Sequence, residues 1–279
     1  MKSKVLFTKN ITPENLVKIY KELNIDLPGK VAVKVHSGEP GGHNFLKPEF
    51  MKDLVESVNG TIIEANTAYT GRRNTTEEHL KAIKEHGFME IAPVDIIDSE
   101  GELEFPVRNG KHLQINYVGS HLANYDSLLV LSHFKGHQMG GFGGALKNIS
   151  IGIASAYGKG HIHGAGIQEK MWETAQDPFI ESMAEAASTI MDYEKGNIAF
   201  INVMCNLSID CDCNSNPAKP EMADIGILAS LDPVALDQAC RDFVYNSSDE
   251  GKTSLINRIE EKHGIHILET ADSLGIGSR

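Results

Sequence analysis

Short apolar and β-branched runs alternate with segments of helical spacing along most of this 279-residue chain. The strand-like runs lie at residues 31–36, 61–65, 93–98, 113–118, 126–133, 197–204 and 224–229. The helical segments lie at residues 48–58, 75–86, 178–193 and 253–263, with one more that begins at Asp232-Pro233. Strands that alternate with helices form largely parallel sheets whose two faces are buried. The pattern therefore predicts an α/β fold, with a mostly parallel or mixed sheet covered by helices on both faces.

The chain is long enough for one large α/β domain or for two smaller lobes. It contains neither an internal repeat nor a low-complexity linker. The best candidate for a boundary between two lobes lies near residues 158–167, where glycines recur. We therefore predict a single domain over residues 1–279, with 158–167 as the alternative boundary between two α/β lobes.

The composition excludes some classes of partner. The formal net charge is −12, and the lysines and arginines form no sustained cluster. Because phosphate backbones and anionic membranes are bound by grouped basic residues, we expect neither nucleic acid nor a membrane surface as a partner. No apolar run approaches the roughly 20 residues of a membrane helix, and the first residues lack the apolar core of a signal peptide. The expected location is cytoplasmic.

Residues 132–148 form a glycine-rich segment that directly follows the apolar run 128–131. Backbone without Cβ atoms lets a ligand approach closely, and ligands of open α/β sheets bind at the carboxyl ends of strands. The spacing matches neither a P-loop nor a dinucleotide fingerprint, since Leu146 stands where the fingerprint needs glycine or alanine. The segment still predicts a loop that binds a cofactor or ligand. Its candidate binding residues are Gly141, Gly143, Gly144, Lys135 and Asn148.

Three residues of this segment have side chains suited to catalysis. Lys147 stands at the exit of the loop, where its ammonium can meet a carboxylate, a phosphate or a covalent partner. His133 and His137 are four residues apart, and each can supply an imidazole nitrogen to a metal or act as an acid or base. The candidate catalytic residues are therefore Lys147, His133 and His137. A tight structural turn with exposed lysines is the alternative.

The sequence Cys211-Asp212-Cys213 is the most unusual local composition of the chain. Alternate side chains of extended backbone lie about 6.5 Å apart, whereas two sulfurs on one zinc ion lie about 3.8 Å apart, so shared coordination needs a bent backbone. Neighbouring acids are expected to raise the pKa of both thiols, whereas a metal deprotonates coordinating thiols outright. The candidate ligands of a divalent metal ion are His133, His137, Cys211 and Cys213. Incidental burial of the cysteines is the alternative.

Two further groups of polar residues fall in loops. Arg72 belongs to the polar loop after the strand at 61–65, and an arginine there can clamp an anion bidentately. This makes Arg72 another candidate binding residue. His161 and His163 lie in a second glycine-rich stretch, where an extended chain would turn both rings to one side. Sequence leaves open whether this pair joins the same site or lies on an exposed loop.

The chain resembles the DUF362 family, a group of proteins of unassigned function. Its most specific matching stretches are SHFKGH at 132–137, GFGGALKN at 141–148 and the cysteine pair. Many members carry a ferredoxin-like insertion whose cysteine repeats bind two [4Fe–4S] clusters. Between Lys159 and Trp172, where the resemblance places this insertion, the chain has no cysteine. The resemblance therefore implies a core domain for which no [4Fe–4S] cluster is expected. A non-enzymatic partner of a separate ferredoxin is one reading of such a core.

The glycine loop is also similar to the Gly-Gly-Arg-Lys loop of nickel-pincer lactate racemases, in which the lysine anchors the cofactor and histidines take part in catalysis. Lys147 and either His133 or His137 are the corresponding residue types, although Ala145-Leu146 replaces the arginine-bearing step. This similarity implies a cofactor-anchoring isomerase or racemase as a second alternative. The leading hypothesis is an enzyme or redox-linked protein whose site binds a metal ion and a small anionic molecule.

Overall fold

Strands and helices alternate along the chain as the α/β prediction requires. The computed structural model describes residues 3–279. Its strands are β1 (Leu6–Thr8), β2 (Val31–Lys34), β3 (Thr61–Glu64), β4 (Val94–Ile96), β5 (Glu102–Pro106), β6 (Ile115–Gly119), β7 (Ser127–His133), β8 (Lys135–His137), β9 (Gly141–Gly143), β10 (Ile198–Met204) and β11 (Gly226–Ser230). Its α-helices are α1 (Pro13–Glu22), α2 (Pro48–Ser57), α3 (Thr76–Glu85), α4 (Ala145–Ser150), α5 (Ala156–His163), α6 (Gln176–Glu194), α7 (Pro233–Asn246), α8 (Lys252–Glu261) and α9 (His266–Ser273). None of these helices is long and apolar enough to cross a membrane.

Seven strands form one mixed sheet in the order β1-β11-β10-β7-β2-β3-β4. The five strands from β10 to β4 are mutually parallel, whereas β11 runs antiparallel to both β10 and β1. This confirms the prediction of a mostly parallel or mixed sheet. Because the parallel strands share one direction, their carboxyl ends meet at one edge of the sheet.

Helices cover both faces of the sheet, because alternate residues of a strand point to opposite sides. Leu128 and Val130 of β7 belong to the larger core, which also contains buried residues of α4, α6, α7, α8 and α9. Leu129 and Leu131 belong to the smaller core, which contains buried residues of α1, α2 and α3. A strand buried on both faces is mostly apolar, and this explains why apolar runs identified the central strands.

Two short hairpins lie outside the main sheet. β5 pairs with β6, and β8 pairs with β9. The sequence predicted strands at 93–98 and 113–118 joined by a turn at 100–102. In the structure the turn leads into β5 instead, because Leu103 and Phe105 pack on the larger core and align this segment with β6.

Residues 158–167, the predicted alternative boundary, form the last six residues of α5 and the turn after it. The Ser155 side chain caps this helix by accepting the N–H of Gly158 at 2.9 Å. A Cβ on Gly158 would overlap the carbonyl oxygen of Tyr117 in β6. The glycine therefore allows α5 to pack closely on β6, and it does not form part of a loop.

The last residue of α6, Glu194, is expected to make the stability of the protein depend on pH. Its side chain is 6% exposed, and this burial raises its pKa to about 7 from an ordinary value of 4.5. Between these two pH values the folded state holds a proton that the unfolded state has lost, so stability falls as the pH rises through that range. We expect Glu194→Gln to raise the free energy of unfolding by about 2–3 kcal/mol at pH 8 and to change it little at pH 4.

Urea unfolding at pH 4 and pH 8 measures this effect. Glu173→Gln is the matched control, because Glu173 is exposed and the same change there should alter stability equally little at both pH values. Equal stability of Glu194→Gln and the unmodified chain at pH 8 would contradict the prediction.

Candidate functional site

A cavity of about 320 Å³ opens at the carboxyl edge of the parallel strands. Its wall includes residues that end or follow β2, β3 and β7, together with residues of α4, α5 and the turn at 211–213. The lining includes the ionisable or polar side chains of Lys34, His36, Glu64, Arg73, His133, Lys135, His137, Lys147, Asn148, Lys159, His163, Cys211 and Cys213. The cavity thus lies at the edge where parallel α/β sheets bind their ligands.

The glycine-rich segment folds as the β8–β9 hairpin and continues into α4. The Asp237 carboxylate of α7 accepts the N–H groups of Ala145 at 2.8 Å and Leu146 at 3.0 Å. A Cβ on Gly144 would overlap this carboxylate, so the close approach requires glycine. Burial raises the pKa of Asp237 to about 6. The start of α4 is therefore anchored from the protein interior, with Lys147 of this helix in the cavity wall.

The predicted binding residues of this segment differ in position. The cavity is lined by Gly143, Gly144, Lys135 and Asn148. Asn148 also donates a hydrogen bond to Ser132 Oγ at 3.0 Å. Gly141 is not in the lining: it has a φ of +79° and lies against Gly264. Gly141 therefore serves the backbone of the hairpin, a position that favours glycine whether or not a ligand is bound.

His137, Cys211 and Cys213 meet in the cavity wall, each with a potential ligand atom within 4.8 Å of the others. The backbone bends at the cysteines, so that the N–H of Cys213 points to the Cys211 sulfur at 3.3 Å. Coordination of one metal ion by both sulfurs needs a bend of this kind. The Nδ1 atom of His137 accepts the N–H groups of Met139 at 3.2 Å and Gly140 at 2.9 Å, so the neutral ring carries its proton on Nε2, and a metal ion bound at Nε2 would have to displace that proton.

The hydrogen bond that the two thiols share raises the pKa of Cys213 and lowers the pKa of Cys211 well below its ordinary value, so the predicted rise fails for Cys211 only. This hydrogen bond is the largest cause of the lowered pKa of Cys211, and His137 and Lys147 add to it and outweigh burial. Asp212 does not have the predicted effect, because its carboxylate turns toward Lys135 and His133. A thiolate beside an imidazole is both a soft metal ligand and a nucleophile.

His133 belongs to a buried ion network and not to the group of His137 and the cysteines. Its Nδ1 atom lies 2.9 Å from a carboxylate oxygen of Asp212, and its Nε2 atom donates to the carbonyl of Cys205 at 2.6 Å. Lys135 Nζ lies 2.6 Å from the same carboxylate. Because both nitrogens of His133 face acceptors, the ring presents no lone pair to a metal ion in this arrangement. The structure therefore separates His133 from the other predicted metal ligands, although it still lines the cavity.

The arginine in the cavity wall is Arg73 and not the predicted Arg72. Arg72 is partly exposed and pairs bidentately with Glu85 at 2.7 Å. Arg73 is buried, lies 2.7 Å from Glu39 and donates to the hydroxyl of Tyr69 at 2.9 Å. The polar loop was thus placed correctly at the edge of the sheet, but the two adjacent arginines have different environments.

Lys34 and Glu64 are cavity residues that sequence reasoning missed. They end the neighbouring strands β2 and β3 and form a buried ion pair, with 2.8 Å between Nζ and Oε2. Burial lowers the pKa of Lys34 despite this partner. Burial acts to raise the pKa of Glu64, but Lys34 and His36 hold it well below the usual range. The available signal was a charged residue at the end of an otherwise apolar strand.

His161 and His163 lie on α5, so the prediction that they share one side of an extended chain is wrong. His163 lines the cavity and stacks on Phe179, with 4.7 Å between ring centroids. His161 instead packs edge-on against Tyr117 at 5.2 Å. Residues two apart on a helix point in different directions, and His163 alone of this pair contributes to the cavity.

Comparisons with known proteins concern the family and the fold. The model of the family described as Domain of unknown function (DUF362) matches residues 31–242. A search of curated proteins finds no match. Similar solved structures include the lactate racemase apoprotein from Thermoanaerobacterium thermosaccharolyticum, with 17% identity and a TM-score of 0.50 over 86% of this chain and 56% of that one.

A protein from Thermotoga maritima is similar to the same degree, with 17% identity and a TM-score of 0.50 over 85% of this chain and 60% of that one. This chain therefore spans less than two thirds of the length of either structure. At such low identity the similarity shows a shared fold, and the chemistry has to be argued from the cavity of this chain.

Proposed function

The chain belongs to the DUF362 family, and from this premise and the geometry of its cavity we propose that it is a metal-dependent enzyme acting on a small anionic substrate. His137, Cys211 and Cys213 would hold a divalent metal ion, and the cationic side chains of the wall would bind the substrate. The observation that carries the proposal is the convergence of one imidazole and two sulfur atoms in the wall of a cationic cavity.

The chemistry of the three donors fits a soft divalent ion. Zinc and related transition metals prefer thiolate sulfur and imidazole nitrogen, and three protein ligands leave a fourth position for substrate or water. Asp212, between the two cysteines, is held by His133 and Lys135, which fixes the turn that carries both sulfurs. A bound ion of this kind supplies Lewis-acid polarisation of a substrate oxygen.

The charged lining favours an anionic substrate. Its cations are Lys34, Arg73, Lys135, Lys147 and Lys159, whereas Glu64 is the acidic side chain among the described lining residues. Met139, Met171 and Trp172 add apolar surface to the same cavity. A concave site with apolar walls and a few convergent charged groups is typical of small-molecule binding.

Elemental analysis of untagged protein purified without oxygen tests the proposed metal site. We expect near-stoichiometric divalent metal in the unmodified chain and loss of most of it in Cys211→Ser/Cys213→Ser and in His137→Ala, because each change removes ligands. His133→Ala is expected to retain more metal than His137→Ala, since both nitrogens of His133 already face other partners.

Cys205→Ser is the matched control, because Cys205 is a free cysteine near the cavity that does not belong to the three-residue group. It should keep the metal of the unmodified chain. Circular dichroism of every variant confirms that the fold is retained. Protein that contains no metal in any preparation, including one reconstituted with zinc, would contradict the proposed function.

A cofactor-anchoring isomerase or racemase is the second candidate, and Lys147 is the observation that favours it. This lysine lies in the cavity on a helix whose start is anchored by Asp237, and the fold is similar to that of a lactate racemase apoprotein. Intact mass spectra of the same preparations decide between the candidates. An adduct that disappears in Lys147→Met supports the second candidate, and an unmodified mass in freshly purified protein counts against it.

A further inference from the structure

Three of the five cavity cations are already neutralised by carboxylates of the protein. Lys34 lies 2.8 Å from Glu64, Arg73 lies 2.7 Å from Glu39, and Lys135 lies 2.6 Å from Asp212. Buried cations paired in this way have little charge left for a ligand. The charge available to a ligand therefore comes from the remaining two lysines.

Lys147 and Lys159 have no carboxylate oxygen within 4 Å among residues 3–279. Lys159 is 8% exposed, and its Nζ atom donates to the carbonyl of Ala154 at 2.6 Å. Lys147 is half-buried on α4. A buried ammonium that meets only a carbonyl is costly, so binding of an anion would stabilise its charged form.

The two lysines lie on different helices, α4 and α5, and both line the same cavity. His163 of α5 lies close to both, and burial followed by the charges of Lys147, His137 and Lys159 lowers its pKa to about 3. The charge of Lys147 also contributes to the lowered pKa of Lys34, and the charge of Lys34 contributes to the lowered pKa of Lys159. Two lysines without a carboxylate partner therefore line one cavity.

We propose that Lys147 and Lys159 together bind a dianionic small molecule, a dicarboxylate or a phosphate, with one negative charge near each lysine. This inference deepens the proposed function, because it names the class of anionic substrate. A monoanion would leave one of the two lysines without an anionic ligand. A dianion neutralises both, and it is therefore preferred over a monoanion of similar size.

Protonation of the Lys159 amine should provide a measurable sign that an anion has bound. Burial, followed by the charges of Lys34 and Arg73, lowers its pKa to about 7 against the opposing effect of Asp98. Near pH 7 roughly half of the molecules thus carry a neutral amine there. An anion placed beside this amine favours its charged form, so binding should take up a proton from solution. The titratable and charged groups that face Lys159 are Lys34, Glu64, Arg73, His79, Asp98 and His163.

Titration calorimetry at pH 7 tests the proposal with malonate, inorganic phosphate and acetate as probes. Each is measured in HEPES and in Tris, whose different ionisation enthalpies reveal the number of protons taken up. We expect malonate or phosphate to bind at least about tenfold more tightly than acetate. Only malonate binding should take up about half a proton, because phosphate itself exchanges protons near pH 7. The stronger of these two probes identifies the dianion as a dicarboxylate or a phosphate.

Variants separate the two lysines. Lys147→Met and Lys159→Met should each weaken binding of the dianion by about tenfold or more. Lys159→Arg should keep most of the affinity but take up no proton, because arginine stays charged. Lys18→Met, at an exposed position of α1, is the matched control and should bind as the unmodified chain does. Thermal unfolding of each variant checks its fold.

Acetate that binds as tightly as both dianions, or proton uptake that persists in Lys159→Arg, would overturn the inference. Metal content measured in the same samples separates this outcome from failure of the proposed function. If metal is bound at His137 and the cysteines while no probe binds, the dianion site is refuted and the metal site stands.

Discussion

Lys34→Met is expected to lower the free energy of unfolding by about 3–5 kcal/mol, because it removes one partner of a buried ion pair. Lys34 is 1% exposed and Glu64 is 3% exposed. Without the lysine, the Glu64 carboxylate keeps its hydrogen bonds from the Ser37 N–H and hydroxyl but loses its buried counter-charge. The carboxylate must then remain charged in the interior or bind a proton, and either outcome costs stability.

Chemical denaturation at pH 7 measures the loss, and Lys52→Met is the matched control. Lys52 pairs with Glu56 at 3.7 Å, but both side chains are about half exposed, so the same substitution there should cost less than about 1 kcal/mol. The double change Lys34→Met/Glu64→Leu should recover part of the loss, since it removes both charges. Similar losses of stability in Lys34→Met and Lys52→Met would contradict the expected cost of leaving Glu64 buried without its counter-charge.

Gly158→Ala is expected to destabilise the protein by about 3 kcal/mol, against the usual preference of helices for alanine. Alanine in place of glycine favours a helix by about 1 kcal/mol. Here the added Cβ would overlap the carbonyl oxygen of Tyr117, so α5 must move away from β6 or distort it. Overpacking typically costs about 1–3 kcal/mol, with higher values where backbone has to move, and it outweighs the helix preference.

Thermal unfolding measures the loss of stability in Gly158→Ala, and calorimetry with malonate measures the effect on ligand binding. Because α5 also carries Lys159, the variant should bind dianions more weakly than the unmodified chain. Gly71→Ala is the control: its Cβ would meet Glu39 Oε1 at an ordinary 3.7 Å, and the change should alter stability by less than about 0.5 kcal/mol. A Gly158→Ala variant more stable than the unmodified chain would refute the close packing of α5 on β6.

The central strands were predictable because most of their residues are apolar, and the helices that lack local signals were not predictable. α4 begins at Ala145, directly after Gly144, and the carboxylate that holds its start, Asp237, lies 92 residues from Ala145. α5 contains Gly158 and Gly160, which lower helix propensity, and tertiary packing stabilises it. Helices that depend on such long-range partners cannot be recognised from a window of sequence.

The candidate site was predictable in position and in residue type, but not in its pairing. The strand ends correctly indicated the edge where His137, Lys147 and the cysteines lie. Which histidine meets the cysteines depends on the β8–β9 hairpin, which carries His137 toward them and leaves His133 with Asp212. Sequence likewise could not distinguish Arg72 from Arg73. The position of their loop follows from the end of the preceding strand, but tertiary packing decides which of the two side chains lines the cavity.

The pairing of β1 with β11 bears on the order in which the chain folds during synthesis. Leu6 aligns with Ala229, so β1 is synthesised 223 residues before the residue with which it pairs. The cavity can be completed only later, because Asp237, which anchors the start of α4, is translated after β11. A nascent chain can thus assemble the parallel strands early, and it acquires the ordered ligand loop only when α7 has emerged.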